Sequence, residues 1–172
     1  MTAKSAEGAK RENDCGAWPS ANQQGRHEGR VKEMDAAKDD ELKKRLTPEQ
    51  YYVCVQRGTE RPYTNLYCDY KAAGTYVCIA CGLELFRSTE KFHSGSGWPS
   101  FYDAFAEGRV KRTVDASHGM ERVEVSCERC DAHLGHVFDD GPKPTGLRFC
   151  INSAAIDFVD EQGRHPFRDL QA

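Results

Sequence analysis

The stretch Thr145-Gly-Leu-Arg-Phe-Cys-Ile-Asn-Ser153 decides how the chain is read. Leu147, Phe149 and Ile151 alternate with polar neighbours, the two-residue period of a β-strand with one face turned to a core. The same alternation puts Arg148, Cys150 and Asn152 on the opposite face. A guanidinium beside a thiol favours the thiolate, and the thiolate is the nucleophile, so this face predicts an ionised, reactive Cys150. The plainer reading is a small cysteine packed on a strand. The rest of the chain decides between them.

Upstream, the texture from Thr59 onward is the same: short apolar runs broken by Gly, Pro, Asp and Ser. Strands are predicted over residues 75–79, 84–86, 109–114, 121–126, 134–138 and 147–159, and Arg122-Val-Glu-Val-Ser126 alternates cleanly. Six short strands without long helices between them predict a mainly β fold of antiparallel sheets. Before them, short helices are predicted at Asp40–Leu46 and from Thr47. There Thr47 can cap, Pro48 suits the first helical position, Gln50 closes a capping box and Gly58 ends the run. Residues 1–37 hold almost no large apolar residue beyond Trp18, Val31 and Met34, and are expected to form a disordered arm.

A length of 172 residues suits one domain with an arm. The net charge of −3 and pI near 6.1 predict no attraction to nucleic acid or to an anionic membrane. No apolar run is long enough to span a bilayer. The first thirty residues carry acidic side chains and no signal-peptide core, so the expected location is cytoplasmic. Eight cysteines are too few for a secreted disulfide scaffold of this length. In a reducing compartment, paired cysteines point to metal binding or redox chemistry.

Cys78-Ile-Ala-Cys81 and Cys127-Glu-Arg-Cys130 each end a predicted strand. Two intervening residues let both sulfurs of a pair reach one ion, and two such knuckles complete a tetrahedral thiolate shell. The 45 residues between the pairs exceed a linear zinc motif, so the ligands must come from two hairpins and the ion would staple distant parts of the fold. Neither pair is followed by the helix a thioredoxin-like redox motif needs. One structural Zn²⁺ on Cys78, Cys81, Cys127 and Cys130 is the expectation. A local site on Cys127, Cys130, His133 and His136 would leave Cys78 and Cys81 without a role.

Beyond these spacings, several motifs occur in order: Gly58-Thr-Glu60, Ser94-Gly-Ser-Gly-Trp-Pro-Ser-Phe101, Ala132-His-Leu-Gly-His-Val-Phe138, Asp140-Gly-Pro-Lys-Pro-Thr-Gly146 and Arg148-Phe-Cys-Ile-Asn-Ser153. Together they resemble the type B methionine sulfoxide reductases, from about residue 40 to 160, with the CxxC pairs where zinc-binding members carry them. The resemblance implies a pair of antiparallel sheets in a tent-like arrangement behind N-terminal helices. It makes 38–160 the reductase domain and 161–172 a tail. The implied activity is reduction of the R epimer of methionine sulfoxide, free or in proteins, a repair of oxidative damage. It implies Cys150 as nucleophile, His133 and His136 as proton donors, and Arg148 and Asn152 as supporting groups. Trp98 would be the surface for the substrate methyl group.

Attack by Cys150 on the sulfoxide sulfur would leave the oxygen on Cys150 as a sulfenic acid. Many relatives resolve it with a cysteine two residues before the tryptophan. Here that residue is Ser96, which cannot form a disulfide. The remaining candidates are Cys68, Cys54 and Cys15, in that order, with direct reduction by an external thiol as an equal alternative. The implied partners are a thioredoxin-like reductant and the sulfoxide substrate, and the protein is expected to be monomeric. The competing reading is a zinc-stapled β module that binds a partner without chemistry. It accounts for four cysteines but not for Cys150 and its neighbours.

Overall fold

The computed structural model describes residues 36–116 and 121–167. The predicted arm, and Cys15 with it, lies outside the described residues. Two short helices come first, α1 (Ala36–Arg45) and α2 (Pro48–Cys54). The expected capping box is present: Thr47 Oγ1 accepts from Gln50 N, and the Gln50 side chain accepts from Thr47 N. Leu42, Leu46, Val53 and Cys54 turn inward, and Arg45 Nη2 donates to Ala80 O at 2.8 Å, tying α1 to the first cysteine knuckle. Gly58 does close α2 with a bond to Tyr52 O, and a Cβ there would collide with the Tyr52 ring at 2.2 Å.

Nine strands follow among the described residues: β1 (Gly74–Cys78), β2 (Glu84–Arg87), β3 (Lys91–Phe92), β4 (Ser100–Phe101), β5 (Val110–Asp115), β6 (Arg122–Cys127), β7 (His133–Phe138), β8 (Arg148–Ile151) and β9 (Ile156–Asp160). They form two antiparallel sheets, of order β2-β1-β9 and β3-β4-β8-β7-β6-β5. The mainly β fold with two sheets and short N-terminal helices is as expected. Aromatic rings fill the space between the sheets. Tyr76 and Phe86 from the smaller sheet meet Phe101 and Phe149 from the larger one, with Phe86 stacked on Phe101 at 4.5 Å and Phe158 packed edge-on against Tyr76. Each ring, fully buried, contributes about 1.5–3 kcal/mol.

Two expectations need correction. Among the described residues the strands number nine rather than six, in part because β3 and β4 are two residues each and carry no periodicity. The single strand expected over 147–159 is two, β8 and β9, in different sheets. A 3-10 turn at Ser153–Ala155 separates them. Its cause lies far away in sequence: the buried Glu60 carboxylate accepts from Ser153 N at 2.7 Å and Ala154 N at 2.8 Å, taking those amides out of any ladder. Residues 161–167 return onto the smaller sheet, where Phe167 packs edge-on against Tyr67 and Tyr70, and His165 Nδ1 meets Asp157 Oδ2 at 2.6 Å.

Candidate active site and metal centre

The two knuckles converge. Cys78, Cys81, Cys127 and Cys130 bring four sulfurs within 4.8 Å of one another, with Cys78 to Cys130 and Cys81 to Cys127 both at 3.6 Å. Four thiolates at about 2.3 Å from one zinc ion stand about 3.8 Å apart, so the donor set fits a metal of that kind. Crowding splits their acidity. Sulfur-to-sulfur hydrogen bonds hold Cys127 down to about 2 and Cys81 to about 6, while they push Cys130 up to about 12 and Cys78 far up. Four thiols this close cannot all ionise without a cation between them. The histidines are spoken for elsewhere, so the local Cys₂His₂ arrangement does not form. Cys54 lies beside this cluster: burial, then the Cys130 and Cys127 sulfurs, push its thiol up to about 12. A buried protonated thiol is a poor resolving group.

Cys150 sits on β8 between β4 and β7, opposite Ser100 on one side and His136 on the other. The burial alternation of β8 is the expected one, with Phe149 and Ile151 inward and Arg148 and Cys150 on the half-open face. Arg148, on that face, lines a groove of about 500 Å³ together with Phe92 to Ser96 and Asp140 to Pro142, and Cys150 meets this lining through Ser96. Ser96, in the position where many relatives keep a resolving cysteine, has its Oγ 3.8 Å from Cys150 Sγ. Arg148 is only 14% exposed and is held by Asp140 through a two-pronged bridge, Nε–Oδ1 and Nη2–Oδ2 each 2.8 Å, over the Phe138 ring.

The expected ionisation of Cys150 is overturned. Burial raises its thiol above the ordinary value; the Ser96 hydroxyl and the Arg148 guanidinium pull the other way without prevailing, and Asp140 adds to the rise. The sequence showed the cation but not the carboxylate that neutralises it. At rest the residue is a thiol.

Each histidine is paired through one ring nitrogen. His133 is 2% exposed, and its Nδ1 lies 2.7 Å from Glu124 Oε1, a carboxylate also bridged by Arg57. Burial would raise the Glu124 pKa, but the bond to His133 and the Arg57 charge outweigh it and hold it below the usual carboxylate range. His133 Nε2 is buried and has no hydrogen-bond partner among the described residues, a condition native proteins rarely leave unfilled. His136 lies across the ladder from Cys150; its Nε2 is 3.0 Å from Asp115 Oδ2, which Arg122 also bridges. Burial lowers the His136 pKa more than Asp115 raises it, so this ring is neutral at pH 7. The two imidazoles are 5.4 Å apart between centroids.

Asn152 and Trp98 attach to the frame rather than to the sulfur. Asn152, 3% exposed, donates from Nδ2 to Leu134 O at 3.0 Å and accepts at Oδ1 from Glu60 N at 3.1 Å. Trp98, half-buried, donates from Nε1 to Glu60 O at 3.2 Å. Cys68 is partly exposed; its carbonyl accepts from Lys91 Nζ at 2.8 Å, beside the strand that runs into the groove wall, and burial raises its thiol. Sequence reading missed the carboxylates. Arg122-Val-Glu alternation did carry a signal for Glu124, since it placed two charges on one face of a strand.

A thiol beside a polar groove, with a hydroxyl and a guanidinium next to it, a histidine across the ladder and a four-cysteine cluster at the sheet's end, has the makeup of a thiol-dependent oxidoreductase. Residues 46–160 match the SelR domain. The chain is 57% identical over 124 residues to a peptide methionine sulfoxide reductase MsrB of Pseudomonas putida, covering 72% of this chain and 93% of that protein. It is 56% identical over 128 residues to the MsrB of Methanosarcina barkeri, covering 73% and 89%. With the mouse mitochondrial methionine-R-sulfoxide reductase B3 it shares 54% over 119 residues, 69% of this chain and 47% of that one. The chain belongs to the SelR domain family, the type B methionine sulfoxide reductases.

Proposed function

We propose that Cys150 reduces the R epimer of methionine sulfoxide, free or in proteins, to methionine, and is itself oxidised to the sulfenic acid. The observation that carries this is a half-buried thiol 3.8 Å from the Ser96 hydroxyl of a polar groove, with His136 directly across the ladder from it. In the overall step the Cys150 S–H becomes S–OH and the sulfoxide S=O becomes a thioether, so no outside proton is needed. The thiol proton passes through the imidazole pair to the departing oxygen. A resting thiol beside a neutral His136 is the right starting state for that transfer. His133 Nε2, unpartnered and buried, is a seat for the sulfoxide oxygen. Arg148 and the Ser96 hydroxyl stabilise negative charge as it develops on sulfur, Asn152 braces the strand end, and Trp98 provides the apolar wall for the methyl group.

Regeneration consumes two thiols and releases water and a disulfide. Ser96 removes the short internal route. Cys68, at the groove edge, is the internal candidate that geometry favours over Cys54, and a thioredoxin-like dithiol or small thiol acting directly is the other route. The four-cysteine centre would hold one Zn²⁺, which fastens the β1 and β6 ends together and takes no part in the reaction. We take residues 38–160 as the reductase domain, acting as a monomer in the cytoplasm. No helix among the described residues is long and apolar enough to cross a membrane.

Supplying dithiothreitol and racemic methionine sulfoxide, then resolving the epimers, tests the proposal. Loss of the R epimer alone is expected. Consumption of neither epimer by metal-replete protein would leave the non-catalytic binding module as the reading.

A further inference from the structure

Gly58-Thr-Glu60 carries none of the chemistry above, yet Glu60 is a carboxylate only 4% exposed. Burying such a group is costly unless donors surround it, and three do: Ser153 N at 2.7 Å, Ala154 N at 2.8 Å and Asn65 Nδ2 at 2.8 Å. Those first two amides open the turn that follows Asn152, just past the Cys150 strand. The main chain of Glu60 meanwhile reaches two other parts of the site. Its N–H donates to Asn152 Oδ1, and its carbonyl accepts the Trp98 indole N–H. One residue therefore joins the turn behind the nucleophile, the Asn152 amide and the tryptophan of the Gly-rich loop. The neighbouring Tyr63 latches the same loop from outside, with N to Gly97 O at 2.8 Å and its hydroxyl to Gly95 O at 2.5 Å.

We propose that Glu60 is a positioning residue for substrate binding: its carboxylate fixes its own peptide, and that peptide sets the Trp98 ring relative to Cys150. A main-chain hydrogen bond orients a side chain only as well as the main chain itself is held. Here what holds it is the carboxylate clamp, made of charge-assisted bonds to amides of the nucleophile's own turn. Glutamine at this position keeps the shape but turns an amide N–H₂ toward donors it cannot accept from. Aspartate keeps the charge one methylene short. The inference rests on the reading of Trp98 as the methyl-binding wall.

The test uses the full, metal-replete chain with Trp18→Phe, so that Trp98 is the one remaining tryptophan of two. Steady-state kinetics with methionine R-sulfoxide and dithiothreitol are measured for Glu60→Gln, Trp98→Ala and the double variant, and indole emission for Glu60→Gln against the Trp18→Phe parent. Glu60→Gln is expected to raise KM by about tenfold with a smaller change in kcat, in keeping with lost ground-state contact, and to shift the emission to the red. Trp98→Ala is expected to raise KM at least as much, and the double variant to be no worse than Trp98→Ala alone. Should glutamine unfold the chain, Glu60→Asp is expected to give the same direction of change with metal content intact. Multiplying KM effects in the double variant, or unchanged KM and emission in Glu60→Gln, would overturn the inference alone. A Trp98→Ala variant with unaltered KM would overturn the Trp98 reading and the inference with it.

Discussion

The protein holds sulfur in two environments, and the contrast separates holding a metal from doing chemistry. In the knuckles every thiol faces another thiol at 3.6 Å, and Cys78 and Cys127 are fully buried. Protons are shared among the four sulfurs, and only a cation lets all of them ionise. Cys150 has no sulfur neighbour of this kind. It faces a hydroxyl and a guanidinium, with His136 across the ladder, groups that move protons or steady charge but offer no ligand set. The same side chain is thus made inert in one place and reactive in the other by its companions.

The comparison breaks most visibly by substitution on each side. Cys150→Ser is expected to lower turnover by more than about 10³-fold, as loss of a nucleophile does, while metal content and thermal unfolding stay as they were. Cys127→Ser is expected to do the opposite kind of damage. It should release the metal and unfold the chain, because metal-binding energy is folding energy in such sites. Elemental analysis and circular dichroism on both variants check the pair.

Next in size is Gly135→Ala. Gly135 lies between the histidines, opposite Ile151, and a Cβ there would meet Cys150 O at 2.1 Å. Pushing β7 off β8 is expected to cost about 1–3 kcal/mol of stability and to lower kcat/KM with it, since His136 and Cys150 are set by that ladder. Thermal melts and kinetics on one preparation would show both.

The pH profile sharpens the catalytic side. The reacting pair must hold one proton in total, on the thiol or on the imidazole. Acid inactivates by adding a proton to His136, whose pKa is lowered from 6.5, and base by removing the last one from Cys150, raised from 9.0. The profile of kcat/KM is therefore expected to be flat from below pH 6.5 to above pH 9. Ser96→Ala, which removes a bond that lowers the thiol pKa, should move the alkaline limb up. A limb between pH 7 and 8 in the parent would contradict this pairing.

The smallest expected effect on the first chemical step comes from Ser96→Cys. With Oγ and Sγ at 3.8 Å, a sulfur there can reach Cys150. The variant should still form methionine in the first turnover, then accumulate a 96–150 disulfide in place of the sulfenic acid. Non-reducing peptide maps give the answer.

How much of this was legible depended on the range of each interaction. Strand β8 and its polar face could be read because alternation is local, and α2 because Thr47, Pro48 and Gln50 are adjacent. The break after Ile151 was hidden: Ala154-Ala155-Ile156 continues the apolar run, and what ends the strand is Glu60, some ninety residues upstream. The four-cysteine cluster showed itself through spacing and the half-open face of Cys150 through alternation. Asp140 and Asp115 could not be assigned, and alternation gave Glu124 a face but not a partner, because a carboxylate gains its role from a pairing that no local pattern encodes. The expectation of an ionised Cys150 failed chiefly for another reason: the cation was visible in the sequence, but the burial that raises the thiol was not, and Asp140 adds only a little.

The most direct measurement is a single turnover without reductant: one equivalent of methionine R-sulfoxide, then a sulfenic-acid trap and peptide mass spectrometry. The account predicts one equivalent of methionine and one added oxygen, trapped at Cys150. Methionine formed with the oxygen on another cysteine, or with Cys150 still a thiol and unlinked, would contradict it.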